Sequence, residues 1–422
     1  MRMVQASFPA LIFQPLVVLG KLTLHSNRVT DDNLRFDTYY DVIFQNLTSL
    51  KELSIVTFPD TEFGPGFAGL TNLRVLDVSE DCELRQLTNT TLNAFRRAPI
   101  LELHFYNCRH LYKLHKCAFC GFASLKTLVL GVSGAKGMTG LPKALDSLYG
   151  LRGNNMTLIN MYGVQSFPVS LGRTEMQHLH SICVSTLVLS RNHIYEIKAT
   201  AMMDEGSRFL ECVEHIDLSR NMWMRGVGAF RQLLSRSRRL RTLQLQEQYV
   251  YSLNEASCLL GTDTQCRRRV HDGIRVDIRI VVSTTLTFVN LSSSSHALGH
   301  APELVIIENG SSLRTLDLSF NRLNQCWMTF KGLPAIETLD LSGNNCFNIS
   351  ASIFSEMPTL RRLILHNFNL DPHWMHSYGL KLMRNLPVLE ELDLSYNHLS
   401  RLQVDMLHAQ PHLRRLKLTG KS

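Results

Sequence analysis

One short pattern of leucines recurs along the chain and limits what the chain can fold into. In LEELDLSYNHLSRL, residues 389–402, leucine stands at positions 1, 4, 6 and 11 and asparagine at position 9. The same spacing starts at residues 19, 184, 213, 313 and 336. Weaker copies, in which another residue takes the asparagine position, start at residues 50, 73, 100, 125, 240, 360 and 413. A unit repeated this often predicts a stack of similar coils rather than several independent globular domains.

The spacing L-x-x-L-x-L-x-x-N-x-L is the signature of the leucine-rich repeat. Its alternating leucines predict a short strand with the leucines inward, and successive strands then stack into one parallel sheet. The predicted fold class is therefore α/β, a leucine-rich-repeat solenoid (horseshoe) with the parallel sheet on its concave face. Inward amides at the asparagine position can satisfy backbone groups of neighbouring coils, which makes them structural rather than catalytic. These amides belong to Asn192, Asn221, Asn321, Asn344 and Asn397.

The repeat pattern divides the chain into four predicted segments. Residues 1–18 are an apolar N-terminal segment, interpreted as a degenerate signal peptide or a cap, with a truncated start as the alternative. Residues 19–247 are leucine-rich repeats, and residues 248–312 are irregular repeats or a loop insertion. Residues 313–422 are again repeats, predicted to be truncated without a C-terminal cap or covered there by a partner. No run of about 18 uninterrupted apolar residues occurs, so no transmembrane segment is predicted.

Sequence motifs for catalysis are missing, and the chain is predicted not to be an enzyme. The patterns H-E-x-x-H, G-x-S-x-G and G-x-G-x-x-G do not occur, so no catalytic residue, cofactor or metal site is assigned. CAFC, with Cys117 and Cys120, is open to two interpretations. One is a metal or redox pair, and the favoured one is the convex half of a repeat. Cys108 and Cys346 are interpreted as small core residues.

Two other cysteine pairs are disulfide candidates. Cys183 and Cys212 each lie one residue before the start of adjacent repeats, which predicts neighbouring strands about 5 Å apart. Cys258 and Cys266 flank LLGTDTQ in the irregular segment, where a short bridged loop would fit an oxidising compartment and two free thiols are the alternative. Six N-x-S/T sequons favour passage through the secretory pathway. They are Asn46, Asn89, Asn155, Asn290, Asn309 and Asn348.

Several segments together resemble the ectodomain of a Toll-like receptor over nearly the whole chain. They are the irregular repeats of 23 to 31 residues, the LDLSxN cores, AFRRAPILELHFYNC, CAFCGFASLKTLVLG and LYGLRGNNMTLINMYG. The resemblance implies a glycosylated horseshoe that binds a microbial ligand and forms a receptor dimer. The ligand would be a protein, a lipid-bearing molecule or a nucleic acid. The family signals through a membrane helix and an intracellular TIR domain, neither of which this sequence contains. The implied location is extracellular, at the cell surface or in the endosomal lumen.

Two basic clusters are candidates for ligand binding. Residues 225–241 hold six arginines and no carboxylate, and a second run of arginines follows at 267–269. Arginines of this kind can contact phosphates, whereas a solvated helix face is the alternative for the first cluster and a proteolytic site the alternative for the second. Exposed strand positions near the C-terminus alternate in sign, so the concave face is not predicted to be a uniform phosphate-binding surface. The candidate residues are Arg236, Arg238, Arg239, Arg241, Arg267, Arg268 and Arg269.

The predicted function is that of a pattern-recognition receptor ectodomain of innate immunity, which binds a microbial ligand through its solenoid surface. The alternative is a soluble or intracellular leucine-rich-repeat scaffold that binds proteins without a signalling role. The two interpretations differ in chemistry, because a receptor ectodomain predicts glycans and disulfides, whereas an intracellular scaffold predicts bare asparagines and reduced cysteines.

Overall fold

The computed structural model divides into two compact units, Met1–Val213 and Glu214–Ser422. It describes residues 13, 15–24, 41–59, 61–79, 82–131, 140–222, 227–248, 277–294, 304–308, 310–321, 323, 329–346, 351–399 and 404–420. Several predicted positions lie outside the described residues: Cys258, Cys266, Arg267, Arg268, Arg269, Asn309 and Asn348. The predicted segment boundaries at 18/19, 247/248 and 312/313 remain predictions.

The first unit contains short strands separated by helical turns. Its strands are β1 (Lys21–Thr23), β2 (Glu52–Ser54), β3 (Val75–Asp77), β4 (Gln86–Leu87), β5 (Glu102–His104), β6 (Lys113–Leu114), β7 (Thr127–Val129), β8 (Asn155–Asn160), β9 (Val169–Leu171), β10 (Cys183–Val188) and β11 (Ile194–Ile197). Its α-helices are α1 (Leu141–Asp146), α2 (Arg173–Met176) and α3 (Arg208–Cys212). Its 3₁₀ turns are Asp41–Phe44, Pro65–Gly69, Asn93–Phe95, Ser147–Leu151, Leu179–Ser181 and Ala199–Met202.

The second unit repeats this arrangement with longer helices. Its strands are β12 (His215–Asp217), β13 (Thr242–Gln244), β14 (Asp277–Val281), β15 (Phe288–Asn290), β16 (Leu304–Glu308), β17 (Thr315–Asp317), β18 (Thr329–Lys331), β19 (Thr338–Asp340), β20 (Arg362–Ile364), β21 (Glu391–Asp393) and β22 (Arg415–Lys417). Its helices are α4 (Val227–Arg236), α5 (Pro372–Arg384) and α6 (Val404–His408), and its 3₁₀ turns are Gly310–Ser312 and Ala351–Phe354. Over the described residues, none of the helices in either unit combines the length and the apolarity needed to span a membrane.

A parallel sheet runs through each unit, as the leucine spacing predicts. In the first unit it orders β1, β2, β3, β5, β7, β8 and β10, and in the second β12, β13, β15, β17, β19, β20, β21 and β22. The register places leucine on leucine, for example Leu316 on Leu339 and Leu339 on Leu363, and these side chains are buried. Smaller parallel sheets join β4 to β6, β9 to β11, and β14 to β16 and β18. The predicted fold class is confirmed.

The asparagine amides form the predicted ladder between coils. Asn344 is 1% exposed, and its Oδ1 accepts the backbone N–H of Asn321 at 2.9 Å and of Leu323 at 3.1 Å, both from the preceding coil. Its Nδ2 donates to the carbonyls of Leu318 and Leu341. Asn192, Asn321 and Asn397 make equivalent bonds. Each amide thereby satisfies backbone groups that the turn leaves without a partner.

A residue in the left-handed conformation precedes the asparagine position in many coils. The φ angle is 58° at Arg191, 55° at Phe320 and 59° at Tyr396. Backbone bonds to the next coil hold this conformation, since the N–H of Phe320 donates to the carbonyl of Ser342 at 2.7 Å. At Gly343, φ is +66°, and an added Cβ would lie 2.2 Å from the Phe320 ring. The turn therefore places one side chain per coil at the rim of the sheet.

Disulfides in the structure include one predicted pair and others that the sequence interpretation did not assign. Cys183 and Cys212 are bridged with Cα atoms 5.3 Å apart. Cys82 is bridged to Cys108. Cys108 lies in the core as predicted, but its disulfide was not predicted. Its sulfur lies in the asparagine position, where a bridge between coils replaces the amide bonds. Cys346, also interpreted as a plain core residue, is disulfide-bonded as well.

CAFC is a bridged turn. Cys117 and Cys120 form a disulfide with Cα atoms 4.9 Å apart, while Ala118 and Phe119 between them are buried. The favoured interpretation of CAFC as the outer half of a repeat is correct for the two middle residues, but it missed the bond between the two sulfurs.

Replacing Asn344 with alanine should destabilise the second unit by about 3 kcal/mol, because two buried N–H groups lose their acceptor. The matched control is Asn345→Ala, since Asn345 is exposed and, among the described residues, its side-chain oxygen accepts one bond, from the half-buried Asn369; we expect a loss below about 1 kcal/mol. Urea denaturation of both variants measures the difference. Equal losses would show that the ladder does not carry the stability assigned to it.

Candidate ligand-binding face

The sheet of the second unit presents two columns of side chains on the side opposite its buried leucines, because successive strand residues point to opposite faces. We call these two columns the second-unit face. The first column, before each buried residue, is His215, Thr242, Phe288, Thr315, Thr338, Arg362, Glu391 and Arg415. The second column, after it, is Asp217, Gln244, Asn290, Asp317, Asp340, Ile364, Asp393 and Lys417.

The aspartates of the second column stabilise the turns that follow the strands, in addition to any contact with a ligand. The Asp317 Oδ1 accepts the N–H of Ser319 at 2.9 Å, and Asp340 and Asp393 bind Ser342 and Ser395 in the same way. A side-chain oxygen that bonds two residues onward stabilises the turn out of the strand. The aspartate and serine of each LDLS core are therefore a turn device, which the sequence interpretation did not identify. The aspartate followed two residues later by serine was the available signal.

A cluster of ion pairs occupies the end of the face nearest β22. The Glu391 carboxylate is bonded to Arg362 Nε at 2.8 Å and to Arg415 at 3.0 Å, and Lys417 Nζ lies 3.3 Å away. Lys417 Nζ also lies 3.4 Å from Asp393. Glu391 and Asp393 are each 7% exposed, whereas the side chains of their cationic partners are about half exposed. Acidic β21 thus lies between two basic strands.

These ion pairs determine how the two carboxylates titrate. Burial alone would raise the pKa of Glu391, but the hydrogen bond with Lys417 and the two neighbouring guanidinium groups outweigh it and leave the pKa below its ordinary value. Burial also acts to raise the pKa of Asp393, and bonds with Ser395 and Lys417 reverse the effect. Both groups are therefore charged at neutral pH and neutralise the cations around them.

The edge where the strands begin also alternates in sign. Arg314 pairs with Glu337, and Arg361 with Glu390. The same Glu390 carboxylate lies 3.8 Å from Arg414 of the next coil. These side chains are mostly well exposed, so each pair contributes little to stability, about 0 to 1 kcal/mol. Because positive and negative charges alternate, these pairs leave this edge of the sheet with little net charge.

The centre of the face has a different character. Asp317 and Asp340 are register partners on adjacent strands, and neither has an ion-pair partner among the described residues. Burial, and then the charges of Asp317 and Asp393, hold the pKa of Asp340 above its ordinary value. Beside these acids the first column contributes Phe288, Thr315 and Thr338. The centre therefore combines negative charge, hydroxyl groups and one aromatic ring.

Aromatic side chains extend the face at its rim. Phe320 is 52% exposed and Tyr396 is 43% exposed. The Tyr396 ring packs edge-on against His366 with centroids 4.8 Å apart. Both aromatic residues occupy the left-handed turn position, which explains why such large apolar groups point away from the core. Exposed aromatic rings beside a polar surface are typical of protein-binding sites.

The predicted arginine cluster is only partly available for a ligand. Arg239 lies 2.9 Å and Arg241 3.4 Å from the carboxylate of Glu214 in the neighbouring coil. Arg238 is exposed and Arg236 is half-buried at the end of α4. Sequence inspection of 225–241 found no carboxylate because Glu214 precedes that run and meets it only when the coils stack. The role of these arginines in ligand binding remains a prediction.

The sequons that the structure describes have different environments. Asn89 and Asn155 are exposed, and Asn46 and Asn290 are half-buried. Asn155 Oδ1 accepts a bond from Arg208 at 2.6 Å. Asn290 lies in the second column, where its Oδ1 accepts the N–H of Ser292 in the same way as the aspartates of other coils. A glycan at Asn290 would therefore stand on the second-unit face.

Comparison with known proteins agrees with the repeat geometry. Models described as leucine rich repeat match residues 311–370 and 388–409. Each unit of this chain is a leucine-rich-repeat solenoid. Chaoptin of Drosophila melanogaster is 30% identical over 153 residues, covering 32% of this chain and 12% of its own length. Leucine-rich repeat-containing G-protein coupled receptor 5 of Xenopus tropicalis is 30% identical over 138 residues, covering 33% and 14% respectively.

Solved structures share the fold of this leucine-rich-repeat chain. The Toll–Spatzle complex of Drosophila superposes with a TM-score of 0.54 at 16% identity, covering 89% of this chain and 43% of that one. The TLR13–ssRNA13 complex gives a TM-score of 0.50 at 16% identity, covering 86% and 49%. At these identities the likeness establishes the leucine-rich-repeat solenoid fold alone. The chain spans less than half the length of these relatives.

Replacing Glu391 with glutamine should cost about 1.5 to 3 kcal/mol at pH 7, because three cations lose their charged acceptor. Since the folded pKa of Glu391 is lowered, its stabilisation is complete above the ordinary carboxyl pKa and is lost as the pH falls through the folded value. The cost should therefore shrink in acid. Glu337→Gln, with a side chain 40% exposed, should cost less than about 1 kcal/mol. Urea denaturation at pH 7 and at pH 3 tests this, and a pH-independent cost would contradict it.

Proposed function

We propose that this chain is an extracellular pattern-recognition module of innate immunity that binds a microbial protein through the second-unit face. The observation that carries the proposal is the charge arrangement of that face, which has a self-neutralised end at β20–β22 and an acidic, aromatic centre. The likeness to the Toll–Spatzle complex, a hub in Drosophila development and innate immunity, supports a recognition role. The face offers a broad preformed surface, as repeat proteins characteristically do.

The electrostatics favour a protein ligand over a nucleic acid. Nucleic-acid binding needs cations that are free to replace the counterions of phosphates. On the second-unit face, Arg362, Arg415 and Lys417 instead surround Glu391, and the centre carries Asp317 and Asp340. A phosphate backbone crossing this face would meet uncompensated carboxylates. A protein can place basic, hydroxyl and apolar side chains separately against each part.

Disulfides support the proposed extracellular location. Two of them, Cys82–Cys108 and Cys183–Cys212, join cysteines of successive coils 26 and 29 residues apart. Such bonds persist in oxidising compartments and are rare in the reducing cytosol. The six sequons agree with this location. The proposed setting is therefore the cell exterior or the endosomal lumen, with a receptor dimer partner as in the family that the sequence resembles.

Substitution of Thr338 with arginine should weaken binding at least about tenfold, because a large cation would stand at the centre of the face. The probe is a bacterial lysate passed over the immobilised full chain, with separate portions treated with protease or with nuclease. Protease treatment should abolish the signal and nuclease treatment should not. Glu356→Arg, an exposed position after the 3₁₀ turn on the opposite side of the coil, is the matched control. Nuclease sensitivity, or equal effects of both variants, would contradict the proposal.

The intracellular scaffold is the second candidate, and mass spectrometry separates it from the first. When the chain is made in a secretory host, we expect glycans at the exposed Asn89 and Asn155 and intact Cys82–Cys108 and Cys183–Cys212 bonds. Enzymatic deglycosylation should reduce the mass accordingly. Failure of secretion, or secreted protein with bare asparagines and free thiols, would favour the scaffold.

A further inference from the structure

We propose that the Cys117–Cys120 disulfide is a reversible redox site that exchanges with external thiols, while the coil-to-coil disulfides remain oxidised. The proposal rests on the position of this bond within one turn, on its exposure and on the groups around it. It is independent of the ligand-binding role of the second unit.

The Cys117–Cys120 bond connects residues of a single turn. Cys117 and Cys120 are three residues apart in one turn, whereas Cys82–Cys108 and Cys183–Cys212 join residues 26 and 29 apart. The constraint that a disulfide places on the unfolded chain grows as about the 3/2 power of loop length. The short bond therefore contributes about 20- to 30-fold less to the folding equilibrium than either long bond. Its reduction leaves the coils joined.

Contacts other than the disulfide also hold this turn in place. Phe119 is buried, and its ring lies 6.1 Å from that of Phe105. The N–H of Ala118 donates to the His115 carbonyl at 2.9 Å, and the N–H of Cys117 donates to His115 Nδ1 at 3.1 Å. After reduction these contacts keep the two thiols near each other. Reoxidation then needs little reorganisation, so the change is reversible.

The two sulfurs are accessible to an external thiol and lie next to a cationic residue in the sequence. Cys117 and Cys120 are half-exposed, as are Cys183 and Cys212, whereas Cys82 and Cys108 are buried. Exposure therefore separates the short bond from Cys82–Cys108, and the short loop that it closes separates it from Cys183–Cys212. Lys116 is exposed, and its Nζ lies 5.4 Å from the Tyr149 ring centroid. The next residue, Gly150, packs against the Cys120 backbone, where an added Cβ would lie 2.6 Å from the amide nitrogen. Lys116 directly precedes Cys117 in the sequence, and a cation on an adjacent residue attracts an incoming thiolate and stabilises the departing one.

The exchange proceeds through a mixed disulfide with the external thiol. An external thiolate attacks one sulfur, a mixed disulfide forms, the Cys117–Cys120 bond breaks, and the other cysteine leaves as a thiolate. A second external thiolate attacks the external sulfur of the mixed disulfide and releases the remaining cysteine thiolate. Two external thiols become one external disulfide, and their two protons reside on the protein thiols. The co-reactant is a thiol of the glutathione class or a protein dithiol.

Differential alkylation of the full-length, folded protein tests the proposal. The oxidised protein is incubated in graded glutathione buffers, free thiols are trapped with iodoacetamide, and each cysteine is quantified by peptide mass spectrometry. Cys117 and Cys120 should become alkylated at a glutathione ratio that leaves Cys82–Cys108 and Cys183–Cys212 oxidised, and dilution into oxidised glutathione should restore the bond. Simultaneous reduction of all three bonds, or reduction of the short one last, would overturn the proposal.

Two sets of variants separate redox chemistry from a structural role. The double variant C117S/C120S should keep a melting temperature close to that of the parent, whereas C183S/C212S should lower it markedly. Failure of C117S/C120S to fold would mean that the bond is structural and would also overturn the proposal. Lys116→Gln should slow reduction by glutathione about threefold without changing the melting temperature, and Lys113→Gln, exposed in the same coil, should not.

Discussion

The hydrogen bonds of the asparagine amides determine how closely one coil can follow the next. Asn344 accepts two N–H groups of the preceding coil and donates to the carbonyl of Leu318 in that coil. Without these bonds, the turn after each strand would bury polar backbone groups that have no partner. The leucine columns, the register of the sheet and the geometry of the rim all require that the coils keep this spacing. The Cys82–Cys108 bond has the equivalent role where a cysteine occupies the asparagine position.

The strand and turn of each repeat could be predicted because the residues that determine them are close together in the sequence. Leu316, Leu318 and Asn321 lie within six residues, and their spacing alone indicates a strand followed by a turn. Contacts between residues of different coils could not be predicted in this way. Glu214 neutralises Arg239 and Arg241 from 25 and 27 residues away, and no local pattern indicates that meeting. Cys82 was not matched with Cys108 for the same reason, since only the stacking shows which cysteines become neighbours.

Coil stacking also explains why similar acids behave differently. Asp340 and Asp393 occupy the same column and bind their turns in the same way. The pKa of Asp340 is raised by burial and by the nearby Asp317 and Asp393, whereas the pKa of Asp393 is lowered by bonds with Ser395 and Lys417. The charges on the neighbouring coil thus determine whether the ionised aspartate of an identical LDLS core is stabilised or destabilised.

The surface available for recognition is smaller than the set of exposed strand residues. Second-column aspartates are committed to turn bonds with the serine two residues onward, so changing them would disturb the frame. First-column residues such as Phe288, Thr315 and Thr338 make no such bond among those described, and the left-handed turn position admits residues as different as Arg220, Phe320 and Tyr396. Variation at these two sets changes the surface without changing the coil. Specificity in this protein is therefore expected to reside in the first column and the rim, while the second column keeps the turns in place.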